Sequence, residues 1–191
     1  RHTLPILSNV LLEKRGDRLT LLATDIEIQI TTSTDGAGGE GDGAITVGAR
    51  KLQDILRSLS DNVDVSLLLE DKRLQVRAGK SRFSLQTLPA DDFPRMTIAE
   101  GDTKQIQLTQ KAFRQLLAKT QYAMAAQDVR YYLNGLLLLT EGRELRAVAT
   151  DGHRLAYASV AIETELPRQE MILPRKTVLE LNRLLADTDE S

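Results

Sequence analysis

The sequence predicts an α+β fold with antiparallel sheet, present in two copies. Three observations carry that prediction. First, the chain repeats itself: Ala23-Thr24-Asp25 recurs as Ala149-Thr150-Asp151 and Arg50-Lys51 as Arg175-Lys176, offsets of 126 and 125 positions in the same order, which marks two copies of one folding unit. The flanks agree, Asn9-Val10-Leu11-Leu12 facing Asn134-Gly135-Leu136-Leu137, and Asp54-Ile55-Leu56-Arg57 facing Glu180-Leu181-Asn182-Arg183 with a one-residue slip. Second, short alternating or apolar runs joined by tight turns predict antiparallel strands. Third, three amphipathic stretches predict helices laid on one face of a sheet.

Taken in order, copy one gives strands at 19–24 and 26–31, with Arg15-Gly16-Asp17 as a tight turn ahead of them. Its helix is predicted over 49–60, where Leu52, Ile55, Leu56 and Leu59 oppose Arg50, Lys51 and Arg57 at about 100° per residue. Strands at 63–69, 74–78 and 83–87 follow. Copy two begins with a short strand at 106–108 and a helix over 108–126, with Phe113, Leu116, Leu117 and Met124 on one face and Lys111, Arg114 and Lys119 on the other. Strands at 136–140, 145–150 and 155–160 come next, the first two separated by a turn at Glu141-Gly142-Arg143. The last helix, over 174–186, sets Val178, Leu181 and Leu185 against Arg175, Lys176 and Arg183, with Leu179 out of pattern. The repeat places the counterpart of the 111–126 helix upstream of Arg1 and counterparts of the 63–87 strands downstream of Ser191. The chain, which opens without Met, therefore reads as an internal piece of a longer protein divided at 1–104 and 105–191.

Composition narrows the function. No apolar run approaches the roughly 18 residues of a membrane span, and no signal peptide opens the chain. Zero Cys removes disulfides and thiolate metal sites and suits a cytoplasmic setting, and two well-separated His residues, His2 and His153, argue against a histidine metal site. No metal and no cofactor is expected. The net charge of −2 is unevenly spread: the three helices carry +2, +3 and +2, leaving −9 for the rest. One basic helix is an ordinary solvated face, but three with the same bias in an acidic chain point to a polyanion.

Catalytic signals are weak. Residues 36–43 share only glycine content with a phosphate loop, lacking the Lys-Ser/Thr and carrying Glu40 and Asp42, so a flexible connection is expected. Asp151 and His153 could form an acid/base pair of a hydrolase. Asp151-Gly152 is also a tight-turn signature, and the same Thr-Asp in copy one is followed by Ile26 without a His. No catalytic residue is assigned. Gln127-Asp128-Val129-Arg130-Tyr131-Tyr132, after the most basic helix, combines Arg with two Tyr as phosphate contact plus stacking requires. An Asp128–Arg130 pair beside a core Tyr is the plainer alternative.

Long motifs run in order along the chain: 4–12, Ala23-Thr24-Asp25, Ala49-Arg50-Lys51, 81–94, 127–135, 149–156 and Pro174-Arg175-Lys176. Together they resemble the bacterial sliding clamps, the beta subunits of the replicative DNA polymerase III. The resemblance implies three α+β clamp domains per protomer, the third absent from this chain, and a head-to-tail homodimeric ring with sheets outside and helices lining a concave inner face. It implies double-stranded DNA contacts by Arg1, Arg50, Lys51, Lys111, Arg114, Gln127, Arg130, Tyr131, Tyr132, Arg175 and Lys176. It further implies a groove of Leu133, Thr150, Gly152, His153, Arg154 and Leu155 for short peptides of the polymerase, the clamp loader and repair proteins. Arg82, Phe83 and Leu85 would lie at the ring interface. The function implied is a non-enzymatic processivity factor; a peptide-binding adaptor that does not encircle DNA is the alternative.

Overall fold

The computed structural model describes residues 5–96 and 105–190, which fall into two compact units. In the first unit seven antiparallel strands form one sheet in the order β3-β2-β1-β4-β7-β6-β5. These are β1 Asn9–Arg15, β2 Arg18–Thr24, β3 Gln29–Thr34, β4 Gly43–Gly48, β5 Val65–Glu70, β6 Arg73–Ala78 and β7 Ser81–Pro89, with helix α1 Ala49–Ser58 between β4 and β5. Two-residue connections set the register: Gly16 at φ 59 turns β1 into β2, and Asp71 and Lys72 at φ 46 and 60 turn β5 into β6, the conformation that matches strand twist. Strand alternation divides the core. Val10 and Leu12 of β1 pack with Val47, Val76, Leu85 and Leu52 of α1, whereas Leu11 packs with Leu22 and Phe93. A buried Thr46 is satisfied by Asn9 Nδ2 at 2.9 Å and by donating to the Leu88 carbonyl at 3.1 Å.

The second unit comprises α2 Gln110–Ala118, a long antiparallel pair β8 Gly135–Thr150 and β9 Leu155–Pro174, and α3 Arg175–Leu184. Leu116 and Leu117 of α2 and Val178 of α3 share one core with Leu136, Leu138, Leu145, Ala147 and Ala149 of β8 and Ala156, Ala158 and Ile162 of β9. Thr109 caps α2 by accepting from the Ala112 amide at 3.1 Å.

The duplication is visible in the ladders. Asn9 to Lys14 pair with Gly48 to Gly43 in the first unit as Gly135 to Thr140 pair with Pro174 to Gln169 in the second. Likewise β2 pairs with β3 as residues 144–150 pair with 155–161.

Several sequence expectations shift. The helix predicted over 108–126 ends at Ala118, because the Thr120 hydroxyl donates to the carbonyls of Leu116 and Leu117 and tightens the chain into a 3-10 turn at Gln121–Ala123. Residues 106–108 form no strand. The strand predicted at 26–31 starts at Gln29, since residues 25–28 make a turn, and β1 and β4 are strands that local patterning does not predict. β8 runs through the predicted break at 141–143; the backbone bends there instead, with register shifts on both sides of Gly142 at φ 61. The glycine-rich connection is pinned: Lys14 Nζ donates to the carbonyls of Gly16, Gly39 and Gly41 at 2.6, 3.0 and 3.2 Å, and Asp42 accepts from the Gly16 amide at 2.8 Å. Leu56, predicted for the core face of α1, is 41% exposed. In the second unit α2 packs beside α3; among the described residues of the first unit no helix lies beside α1.

Candidate functional site

The second unit brings the 127–134 loop and the 150–154 turn together. In the turn the Thr150 hydroxyl donates to the Arg154 carbonyl at 2.7 Å and accepts from the Gly152 amide at 3.1 Å. Asp151 Oδ1 accepts from the amides of His153 and Arg154 at 2.9 and 3.0 Å, and Oδ2 from Arg154 Nε at 3.1 Å. The backbone amides of His153 and Arg154 hold the Asp151 carboxyl below its ordinary pKa, with a smaller contribution from the Arg154 charge. Among the described residues no hydrogen bond joins the Asp151 carboxylate to the His153 imidazole, so the arrangement lacks the acid/base pair considered for a hydrolase. Among the described residues no three His, Asp or Glu side chains cluster to hold a metal ion.

The loop is closed by Asn134, which accepts from the Asp128 amide at 2.8 Å and donates to the Asp128 carbonyl at 2.7 Å. Arg130 meets the Asp128 carboxylate through Nε at 3.0 Å and Nη2 at 2.9 Å. This fork and the Arg130 amide depress the Asp128 pKa to about 2. The guanidinium also covers Gly152, where an added Cβ would lie 3.2 Å from Arg130 Nη2. So held, the loop projects Tyr131, 80% exposed, with Tyr132 edge-on at 5.8 Å between centroids.

Of the residues expected to contact DNA, Arg50 and Lys51 are exposed on α1, Lys111 and Arg114 half-buried on α2, and Lys176 exposed and Arg175 half-buried on the first turn of α3. Gln127 is exposed beside the loop, and Arg1 lies outside the described residues. Of the peptide-groove set, Leu155 is 64% exposed, His153 and Arg154 are exposed, and Leu133 is buried, its amide donating to the Arg130 carbonyl. A shallow cavity of about 450 Å³ holds His153 and Arg154 together with Gln127 and Arg175. Tyr122, not singled out in the sequence because it fell within the predicted helix, lines the same cavity, and the Arg154 guanidinium carbon lies 5.6 Å from its ring centroid.

In the first unit the expected interface residues occupy β7. Its residues 81–86 pair with β6 on one side and 87–89 with β4 on the other, so among the described residues an open strand edge runs past Arg82, Phe83 and Leu85. Arg82 is exposed, Phe83 half-buried and Leu85 buried against the core.

Each unit matches a known family domain. Residues 1–97 match the model of the DNA polymerase III beta subunit N-terminal domain, and residues 107–191 that of its central domain. The beta sliding clamp of Vibrio cholerae is 48% identical over 97% of this chain and 50% of its own length, and that of Escherichia coli 47% identical over 99% and 51%. The chain thus spans about half the length of the curated relatives it matches. Among solved structures, the DNA polymerase III subunit beta of Pseudomonas aeruginosa superposes with a TM-score of 0.90 at 48% identity, covering 99% of this chain and 52% of that one. A sliding clamp from the same organism bound to griselimycin gives 0.88 at 48% identity, covering 99% and 51%.

Proposed function

Because the chain belongs to the DNA polymerase III beta subunit family, we propose that the protein works as a DNA sliding clamp. It is a non-catalytic cytoplasmic ring that encircles duplex DNA and docks short peptides of the replicative polymerase, clamp loader and repair proteins. The observation that carries this reading is the sidedness of the helices. Leu52 of α1 and Val178 of α3 are buried in their cores while Arg50, Lys51 and Lys176 of the same helices are exposed, in a chain whose net charge is −2. Such faces attract phosphates without reading bases, and weak, salt-sensitive contact is what sliding requires.

In the second unit Lys111, Arg114 and Arg175 add to the cationic contacts, and Gln127, Arg130, Tyr131 and Tyr132, with Arg1 by family resemblance, touch the duplex as well. Peptides lie in extended form against Thr150 to Leu155. The open edge of β7 at Arg82, Phe83 and Leu85 is where a second protomer adds a strand to close the homodimer. An uncovered edge of this kind otherwise invites uncontrolled pairing. Neutralising Arg50, Lys51 and Lys176 to Gln in the full-length protein tests the DNA arm. The slope of log affinity against log salt falls by about 0.9 for each phosphate that the protein no longer neutralises. An unchanged slope and unchanged retention on DNA would favour an adaptor that does not encircle it.

A further inference from the structure

Asp128 belongs to neither the duplex-contact set nor the groove set, and its backbone and its side chain do separate work. The backbone closes the 127–134 loop: its amide donates to Asn134 Oδ1 at 2.8 Å and its carbonyl accepts from Asn134 Nδ2 at 2.7 Å. The frame around that closure is made of backbone groups, the Ala125 amide donating to the Leu133 carbonyl at 3.0 Å and the Arg175 amide to the Asn134 carbonyl at 2.9 Å. None of these bonds involves the Asp128 carboxylate. Its oxygens go to Arg130, Oδ1 accepting from the amide at 2.8 Å and from Nε at 3.0 Å, and Oδ2 from Nη2 at 2.9 Å.

A fork between side chains that are 51% and 21% exposed adds little to stability, but a bidentate pair fixes the plane and the reach of a guanidinium. What that reach meets is the docking turn. The three atoms nearest to a Cβ built on Gly152 all belong to Arg130, Nη2 at 3.2 Å, Nη1 at 3.8 Å and Cζ at 3.9 Å. A binding constellation keeps its geometry when the groups behind it are themselves locked by hydrogen bonds. We propose that Asp128 is a positioning residue for peptide docking: by forking Arg130 it sets the guanidinium against Gly152 and keeps the 150–154 turn where Thr150 to Leu155 receive a peptide. The proposal rests on the docking function proposed for this groove and adds to it a residue that acts through Arg130 and not on the peptide. The fork uses Nε and Nη2 and leaves Nη1 to reach a phosphate, so the same arginine also serves duplex contact.

Asn at position 128 keeps the backbone closure but offers one oxygen and an NH2 group in place of two acceptors, so it breaks the fork and spares the loop. The probe is a fluorescein-labelled heptapeptide with Leu at alternate positions, an extended apolar ligand for a surface that exposes Leu155. Fluorescence anisotropy reads its affinity for the full-length protein, and hydrogen exchange of the residue-128 amide reads the integrity of the loop. Asp128→Asn and Arg130→Gln each weaken docking about fivefold. The double variant is weaker by about the same fivefold, because both changes remove one contact. The residue-128 amide keeps its protection in all three. Parent-like docking by Asp128→Asn, or losses that multiply to about 25-fold in the double variant, overturns the positioning role while leaving docking intact. Loss of protection at the residue-128 amide in Asp128→Asn makes the carboxylate part of the loop's own fold and overturns it as well. A parent protein that binds no heptapeptide overturns docking itself, and the positioning role with it.

Discussion

The turns at 24–28 and 150–154 are closed by the same hydrogen bonds, yet one has Ile26 where the other has Gly152. In the first unit the Thr24 hydroxyl donates to the Ile28 carbonyl and accepts from the Ile26 amide, and Asp25 Oδ1 accepts from the amides of Glu27 and Ile28. Thr150 and Asp151 repeat each bond at the matching position. Both third residues are left-handed, Ile26 at φ 79 and Gly152 at φ 89. A β-branched residue is strained there, so the Thr-Asp bonding, and not glycine, imposes the conformation. What glycine contributes in the second unit is space, since the Arg130 guanidinium lies where a side chain would begin. The two copies therefore share a scaffold, and only the second has cleared it for a neighbour.

The largest effect should come from giving the second turn the residue of the first. Gly152→Ile must displace Arg130 and also take the strained φ, so unit 2 should lose about 1–3 kcal/mol in urea unfolding, and hydrogen exchange should speed up in the 127–134 loop. Next, Asp25→Ala and Asp151→Ala each remove an acceptor from two amides and should destabilise their own unit by about 1–2 kcal/mol. Equal stability of either variant with the parent would mean that the shared bonding does not hold the turns. Smaller still, Ile26→Asn should stabilise unit 1 by about 0.5–1 kcal/mol, because Asn tolerates the left-handed region.

The smallest effect is in pH. The Asp128 pKa of about 2 in the folded protein lies below its ordinary 3.8. The Asp128–Arg130 contribution is therefore complete above the unfolded value and is lost as acid takes the pH from about 4 to about 2. Tyrosine signals from the 131–132 pair should hold steady down to about pH 4 and change below it in the parent, and should not show that transition in Asp128→Asn.

Much of this was legible in the sequence. The repeat matched the Thr-Asp pairs that close both turns, although only the one at Asp151-Gly152 was expected as a turn, and helical spacing separated Leu52 from Arg50 and Val178 from Lys176, because burial and charge obey the same 3.6-residue period. Spacing could not show that the 127–134 loop meets the 150–154 turn, since Arg130 reaches Gly152 only through tertiary contact. What escaped was decided by long-range pairing and by single hydrogen bonds. β9 continues through Glu163, Glu165 and Pro167, residues typical of a connection, because β8 offers a ladder on its far side. Tyr122 escaped because one hydroxyl, that of Thr120, ends a helix that periodicity alone would extend. The pinning of the 36–43 connection by Lys14 follows from three carbonyl contacts that no local pattern announces.

The central claim is topological: the basic helices retain DNA by surrounding it. The direct measurement loads the full-length protein with its clamp loader onto a nicked circular plasmid, then linearises the circle and follows retention by gel filtration. The account predicts that the protein stays on the circle and leaves promptly once free ends are available. Equal retention on circular and linear DNA would contradict it.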